Sequence, residues 1–253
     1  MDPEALRAAI ESDKANGDIP MLVVATAGTV STGVVDDLDA IGTIARDNGA
    51  WFHIDAAYGG PAAQLESCRK RFKGFETADS IALDPHKWFY TPQEAGCVLV
   101  RDEQYLIDTF SYTPPYYHFG EFDSEQGVNF YELGPQNSRG FRALKVWMTL
   151  LQAGKAGMRD MIANDIALAK KLYDLLDELD DFEVFQTNLS ITTFQFVPNQ
   201  SMTQEALNDL NKRLMVALQF DGRFFVTNAV KHGKYLMRAC IVNFRTTEED
   251  ILA

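Results

Sequence analysis

The sequence predicts an α/β protein with a parallel sheet, and three observations support this fold class. Residues 21–27 and 51–57 are short apolar runs typical of buried strands. Between them lies a segment with one apolar face that ends at Asn48-Gly49, as helices commonly do. This strand–helix–strand spacing is typical of parallel strands joined by a helical crossover. The later half changes to helices and short strand pairs, which indicates a second, smaller α+β part.

Capping residues and chain breakers define the elements of the first half. Asp2-Pro3-Glu4 opens a first helix, because aspartate can cap it, proline suits its first turn and glutamate favours the positive end of the dipole. A polar turn flanked by glycines, residues 28–33, follows the first strand. Asp36 or Asp37 caps the second helix. Two further strands are predicted at residues 80–83 and 96–100.

The second half is predicted to combine helices with antiparallel strands. A helical pattern runs from residue 141 to about 179 and is broken near Gly154 and Gly157. Another helix has an apolar face formed by Leu207, Leu210, Leu214 and Leu218. The strand candidates are residues 182–185, 191–197, 224–226 and 236–244. We therefore expect one domain at residues 1–157 and a smaller C-terminal domain at residues 158–253.

Residues 108–137 have no helical or strand period and are rich in aromatic side chains. A long irregular segment in a compact domain is usually functional or disordered, and its aromatic content argues against simple disorder. The segment is therefore a candidate functional loop. The structural alternative is an ordered surface or dimer contact.

Composition and charge exclude several classes of protein. The 253 residues carry a net charge of −13, which repels nucleic acid and anionic membrane surfaces. Three separated cysteines form no CxxC pair, which argues against a disulfide framework or a zinc ribbon and favours a reducing compartment. No apolar stretch has the length of a membrane span, and the first residues do not form a signal peptide. We expect a cytoplasmic protein that binds neither nucleic acid nor membrane.

Two short motifs carry the candidate chemistry, HIDAAYGG at residues 53–60 and DPHKW at residues 84–88. Each follows a predicted strand, so both lie where open α/β sheets bind their ligands. The motifs offer one carboxylate, Asp55, and one amine, Lys87. This pair suits pyridoxal phosphate, because a lysine binds the cofactor aldehyde as a Schiff base and a carboxylate keeps the ring nitrogen protonated.

The pleat of the strand places His53, Asp55 and Ala57 on one face. The carboxylate of Asp55 and the methyl group of Ala57 could therefore contact the same flat ring. His86, beside Lys87, could stack, donate a hydrogen bond to the phosphate or carry a proton. Taken singly, these residues have ordinary structural explanations, such as a solvated lysine or a carboxylate that caps a loop. Taken together at neighbouring strand ends, they favour a cofactor site.

A metal-dependent hydrolase is the alternative from another class of protein. His53, Asp55, Asp84 and His86 form two pairs of metal-ligating side chains at strand ends, and such pairs can bind a divalent metal. Lys87 would then be incidental. A third alternative is a non-catalytic remnant that only dimerises.

The motifs resemble those of the pyridoxal-phosphate-dependent amino-acid decarboxylases, in the group that contains aromatic-L-amino-acid and glutamate decarboxylases. ATAGT at residues 25–29, then HIDAAYGG, then DPHKW occur in the family's order and spacing. Residues 137–145 and 236–240 are similar to its C-terminal portion. The resemblance implies the PLP-dependent transferase-like fold (aspartate aminotransferase fold type I). Residues 1–157 would form the C-terminal part of the large PLP-binding domain, and residues 158–253 the small C-terminal domain.

The resemblance also implies a reaction and roles for individual residues. The protein would decarboxylate an L-amino acid to its amine and carbon dioxide, with pyridoxal 5'-phosphate as cofactor. Lys87 would be the Schiff-base lysine, Asp55 the partner of the ring nitrogen and Ala57 a contact on the ring face. His86 would lie beside the cofactor and take part in catalysis.

Two cofactor contacts depart from the family pattern. Asp84 stands where several relatives have Asn, on the phosphate side of the cofactor. Val30 stands where many relatives have a second Thr that contacts the cofactor. That contact would pass to Thr29 or Ser31, or be lost.

The aromatic segment would be the family's mobile catalytic loop. Tyr116 aligns best with the tyrosine that protonates the carbanion after carbon dioxide leaves, and Tyr117 is the second candidate. Tyr116 favours plain decarboxylation over the oxidative aldehyde formation seen within the family. Arg139 would bind a carboxylate or hold a helix start by a salt bridge.

The resemblance further implies a truncated piece. Family members have a long N-terminal stretch, which supplies a phosphate loop and a His that stacks on the ring, and nothing in these 253 residues matches it. We expect this piece alone to bind cofactor weakly and catalyse poorly, and the full-length form to be a homodimer. The substrate stays open, because relatives act on aromatic amino acids, glutamate, diaminobutyrate and cysteine sulfinate.

Overall fold

Two four-stranded sheets organise the chain in the computed structural model, which describes residues 1–112, 114, 116, 129–198 and 201–253. The first sheet is hydrogen-bonded in the order β1-β2-β3-β4. Its strands are β1 (Leu22–Thr26), β2 (Trp51–Asp55), β3 (Ser80–Leu83) and β4 (Cys97–Val100). The first three strands are parallel, as predicted, and β4 runs antiparallel to β3. The short connection between β3 and β4 holds no crossover helix, which agrees with an antiparallel pair.

Two capped helices flank the first sheet. In α1 (Pro3–Ala15), the Asp2 side chain accepts hydrogen bonds from the first-turn amides, as predicted. The chain then enters α2 (Leu38–Asp47), and here Asp37 is the cap because it accepts from the amide of Ala40. Asp36 instead accepts from the amide of Thr26 at the end of β1.

The second sheet is entirely antiparallel and has the strand order β5-β6-β8-β7. It consists of β5 (Phe182–Asn188), β6 (Ile191–Phe196), β7 (Thr227–Lys231) and β8 (Lys234–Cys240). The prediction for β7 was wrong, since the strand begins at Thr227 and the residues predicted as strand, 224–226, precede it. The predicted last strand is also shifted, because β8 begins two residues earlier and ends at Cys240.

The remaining helices are α3 (Gln104–Phe110), α4 (Arg142–Asp177), α5 (Gln204–Asp221) and α6 (Glu248–Leu252). The predicted break in α4 is a kink at Gly154, which has a positive φ of 64°. Gly157 stays helical. The division of the chain at residues 157 and 158 stays a prediction, and both residues lie inside α4. None of the helices in the described ranges is both long enough and apolar enough to cross a membrane.

The segment predicted to be irregular, residues 108–137, is partly helical. It begins inside α3 and includes a 3-10 helix at Phe130–Leu133. Both helical pieces are about two turns long or shorter, so neither shows a sustained apolar period in the sequence.

One hydrophobic core holds the first sheet and joins it to the second half of the chain. In β2 and the residue after it, Phe52, Ile54 and Ala56 are buried while the alternate residues are more exposed, which confirms the predicted pleat. The same core includes Met158 and Ile162 of α4. The position of α4 is therefore coupled to the sheet that carries the two motifs.

Gly59 lies where the segments after β1 and β2 come closest. A Cβ atom at this position would lie 2.3 Å from the carbonyl oxygen of Ala27 and 2.8 Å from Cδ1 of Leu189. The carbonyl oxygen of Ala27 is a backbone atom, so it cannot move away as the end of a flexible side chain could. The glycine therefore permits the close approach of the two segments.

Substitution of Gly59 by Ala should lower the free energy of unfolding by about 1–3 kcal/mol, because the added methyl group overpacks a rigid site. Gly140→Ala is the matched control, since no described residue beyond its chain neighbours would have an atom within 4 Å of the added methyl group. Denaturant titration of the two variants measures the difference. Equal stability of both variants would contradict this explanation of Gly59.

Candidate functional site

The segments after β1, β2 and β3 meet at one edge of the first sheet. The parallel register aligns Thr26 with Asp55 and Asp55 with Ala82. Beyond the strands, the amide of Ala56 donates to the carbonyl oxygen of Ala82 at 3.0 Å, and that of Asp84 donates to the oxygen of Ala57 at 3.2 Å. The two sequence motifs are thus hydrogen-bonded neighbours at the carboxyl ends of the parallel strands.

Lys87 presents its amine at this edge. Its Nζ atom lies 2.7 Å from Oδ2 of Asp84, and the two side chains are 43% and 27% exposed. The turn is closed by a 2.8 Å hydrogen bond from the amide of Lys87 to the carbonyl oxygen of Asp84. The amine is thus accessible to a ligand, and a carboxylate of the same turn lies beside it.

Asp55 ends β2 with an exposed carboxylate. Its Oδ1 atom accepts a hydrogen bond of 3.1 Å from the amide of Ala57. Ala57 itself is half-buried. An accessible carboxylate, a small apolar side chain and an accessible amine at one sheet edge form a donor set that fits pyridoxal phosphate, which needs an amine at its aldehyde and an anion at its ring nitrogen.

His86 is held by the backbone of a neighbouring segment. Its Nδ1 atom lies 2.7 Å from the carbonyl oxygen of Ala95 and 3.0 Å from the amide nitrogen. Depending on the tautomer, Nδ1 donates to the oxygen or accepts from the amide. These contacts fix the ring beside Lys87 and leave Nε2 as the nitrogen for any ligand.

In the turn after β1, the hydroxyl group of Thr29 is held by contacts within the turn. Oγ1 of Thr29 lies 2.9 Å from Oγ1 of Thr32 and accepts from the amide of Val34 at 3.1 Å. Val30 is 75% exposed. The cofactor contact of Thr29 stays a prediction, and so does its replacement by Ser31.

The two motifs are also joined by a ring stack that the sequence analysis did not identify. The rings of Tyr58 and Trp88 are stacked with centroids 5.1 Å apart and planes only 6° from parallel. The hydroxyl oxygen of Tyr58 lies 2.8 Å from Oγ of Ser190 and accepts from the amide of Ser190. Burial strongly raises the pKa of this phenol, so the ring is neutral. Tyr58 follows Ala57 and Trp88 follows Lys87, so the stack couples two candidate cofactor contacts.

Asp165 is a second residue that the sequence analysis missed. It lies on α4 and is fully buried. Burial raises the pKa of its carboxyl above the ordinary value, and hydrogen bonds from Tyr90 and Trp88 offset part of the rise. One feature of the sequence could have revealed it: Met158, Ile162 and Leu168 form a buried stripe of α4, and Asp165 occupies a position within that stripe.

Tyr116 and Arg139 are both exposed, and their predicted roles stay predictions. The side chain of Tyr116 is 80% exposed. Tyr117, the second candidate acid, lies outside the described residues. Arg139 precedes α4, but the ion pair observed at this helix start joins Arg142 to Glu94.

The metal-hydrolase alternative has no support. Within the part of the chain that the structure describes, no three His, Cys, Asp or Glu side chains lie close enough together to hold a metal ion. Nδ1 of His53 lies 2.7 Å from Oγ of Ser80, and Nδ1 of His86 contacts the backbone of Ala95. His53, Asp55, Asp84 and His86 therefore do not act as one ligand set.

Comparison with known proteins places the chain in a family. The sequence model of the pyridoxal-dependent decarboxylase conserved domain matches residues 1–197. An aromatic-L-amino-acid decarboxylase of Bacillus atrophaeus is 37% identical over 98% of this chain and 52% of its own length. A phenylacetaldehyde synthase of a Rosa hybrid cultivar is 33% identical over 98% of this chain and 50% of its own length.

Solved structures give the same answer for the fold. The crystal structure of Oryza sativa TDC with PLP and tryptamine superposes with a TM-score of 0.92 at 32% identity, over 100% of this chain and 52% of that one. The fold expected from the resemblance is confirmed. The chain spans about half the length of the curated relatives that it matches. It belongs to the pyridoxal-dependent decarboxylase family.

Proposed function

We propose that the complete gene product is a pyridoxal-phosphate-dependent carboxy-lyase that converts an L-amino acid into its amine and carbon dioxide. The observation that carries the proposal is the placement of Lys87 and Asp55 on adjacent segments at one sheet edge, in a chain of this family. When bound there, pyridoxal phosphate supplies the electron sink for cleavage of the carboxylate bond.

The residues of the sheet edge have distinct tasks in this proposal. The amine of Lys87 would hold the cofactor covalently through its aldehyde. The carboxylate of Asp55 keeps a proton on the ring nitrogen, so that the ring withdraws electrons. The carboxylate of Asp84 lies 2.7 Å from the Lys87 amine and would hold that amine at the sheet edge. Ala57 and His86 limit the space around the ring.

Tyr116 is the proposed acid that protonates the carbon after carbon dioxide leaves. What supports this role is that its segment resembles the family's catalytic loop, in a chain that matches the family's conserved domain over residues 1–197. The relatives include both an aromatic-L-amino-acid decarboxylase and a phenylacetaldehyde synthase. In this proposal, protonation by Tyr116 gives the amine and not the aldehyde. Aromatic L-amino acids are the first substrates to test, since the relatives' names indicate this class.

We also propose a homodimer in the cytoplasm. Several large apolar side chains of α4 are exposed, among them Trp147 and Leu151. Exposed apolar surface of this kind marks a contact with other protein, which a second copy or the rest of a full-length chain would supply. All three cysteines are free thiols, which agrees with a reducing compartment.

Borohydride reduction of the complete gene product with pyridoxal phosphate should leave a pyridoxyl group on the peptide that contains Lys87. Peptide mass analysis detects the adduct. The matched controls are Lys87→Ala, which should abolish it, and Lys73→Ala, which should not. Lys73 also pairs with an aspartate, Asp39, at 2.6 Å, but it belongs to neither of the two motifs.

The same experiment separates the competing functions. An adduct on another lysine, or bound zinc without any adduct, would contradict the proposal. If neither a pyridoxyl adduct nor bound zinc is found, the non-catalytic remnant is favoured.

Asp55→Asn should lower kcat by about 10- to 100-fold, because a hydrogen bond to a charged group is worth about 1.5–3 kcal/mol. Steady-state release of carbon dioxide measures the effect. Asp102→Asn is the control, since Oδ1 of Asp102 likewise accepts from an amide two residues later, that of Gln104. Full activity of the Asp55 variant would exclude this carboxylate as the partner of the ring nitrogen.

A further inference from the structure

Asp165 is a buried carboxylate that the proposed chemistry does not use. The residue is 0% exposed and lies on the face of α4 that packs on the core. Its Oδ2 atom accepts hydrogen bonds from Nε1 of Trp88 at 2.9 Å and from the hydroxyl of Tyr90 at 2.8 Å. Within the described residues, Oδ1 has no hydrogen-bond partner. A carboxylate in this environment is costly, because its desolvation is only partly compensated.

Both donors belong to the turn that carries Lys87. Trp88 is the next residue, and Tyr90 lies two residues further along the chain. Tyr90 has a positive φ of 55°, a backbone conformation that is unfavourable for a residue with a Cβ atom. The hydroxyl bond to Asp165 and the edge contact of the ring with Phe244 hold Tyr90 in this conformation. Asp165 therefore anchors the chain immediately after the lysine.

The anchor also reaches the segment that follows Asp55. The ring of Trp88 is stacked on that of Tyr58, three residues after Asp55. The stack alone would let the indole ring slide or rotate within its own plane. The hydrogen bond from Nε1 prevents this movement. Asp165 thus sets the position of Trp88 against Tyr58, and through it the spacing between the two motifs.

We infer that Asp165 is a positioning residue for the candidate cofactor site: by accepting hydrogen bonds from Trp88 and Tyr90, it holds the Lys87 amine at the distance from Asp55 that the cofactor requires. The inference rests on the proposed function. An apolar residue would bury the same helix face at lower cost, but it could not orient both donors. The need to orient Trp88 and Tyr90 therefore explains why a carboxylate is buried at this position.

The test measures cofactor affinity in the complete gene product, from the visible absorption of the lysine-linked cofactor. Asp165→Ala removes the acceptor of both hydrogen bonds and should weaken the binding of pyridoxal phosphate by about tenfold, since two buried donors lose their partner. Tyr90→Phe removes one hydroxyl and should weaken it by about threefold. Asp165→Asn should bind within about twofold of wild type, because its amide oxygen still accepts from both donors.

Asn211→Ala is the matched control for a merely structural effect. Asn211 is also 0% exposed and forms hydrogen bonds with the backbone of Phe196 and Leu207, away from the lysine turn. This variant should lower the midpoint of thermal unfolding and leave the affinity for pyridoxal phosphate unchanged. If Asp165→Ala fails to fold, Tyr90→Phe decides whether Asp165 positions the cofactor site or only stabilises the fold.

The inference is overturned if Asp165→Ala, or Tyr90→Phe in its place, loses thermal stability but keeps the wild-type affinity. Equal loss of affinity in Asp165→Asn and Asp165→Ala would also overturn it, because the acceptor geometry would then be irrelevant. If wild type forms no lysine-linked cofactor at all, the proposed function fails and the inference fails with it.

Discussion

The parallel pairing of β1, β2 and β3 is the constraint on which the site depends. Parallel strands end at the same edge, so the segments that follow them must meet there. The register places Asp55 opposite Ala82, two residues before Asp84 begins the lysine turn. A slip of one residue along β2 would turn Asp55 into the core and bring Ile54 to the site. The buried side chains of Phe52 and Ile54 prevent this slip.

The candidate site combines two accessible polar side chains with a buried support. The amine of Lys87 and the carboxylate of Asp55 are exposed, whereas Trp88 and Tyr58 beneath them are buried and stacked. Exposed side chains alone would move independently. Buried aromatic rings with fixed hydrogen bonds give the exposed groups a defined separation, and a rigid cofactor requires this. The helix α4 contributes to this support although it is distant in sequence.

Local patterns predicted much of the fold and the chemical groups of the site. β3 was predicted with its observed bounds, because Ser80–Leu83 is an apolar run limited by Asp79 and Asp84. The break at Gly154 followed from glycine inside a helical pattern. The motifs predicted Lys87 and Asp55 as the groups that hold the cofactor, and the structure brings both to one sheet edge. Their roles stay predictions.

Properties that depend on distant parts of the chain could not be predicted in this way. The direction of β4 depends on its pairing with β3, and the apolar run at residues 96–100 does not by itself encode it. The start of β7 was missed because Phe224 and Phe225 have strand propensity but lie before the sheet. The contacts of Asp165 with Trp88 and Tyr90 span 77 and 75 residues. Only the folded chain brings these groups together.

A crystal structure of the complete gene product with pyridoxal phosphate tests the central claim most directly. The account predicts a covalent link from the Lys87 amine to the cofactor and a distance of about 2.7–2.9 Å between the Asp55 carboxylate and the ring nitrogen. A cofactor bound elsewhere, or one that cannot reach both side chains at once, would contradict it.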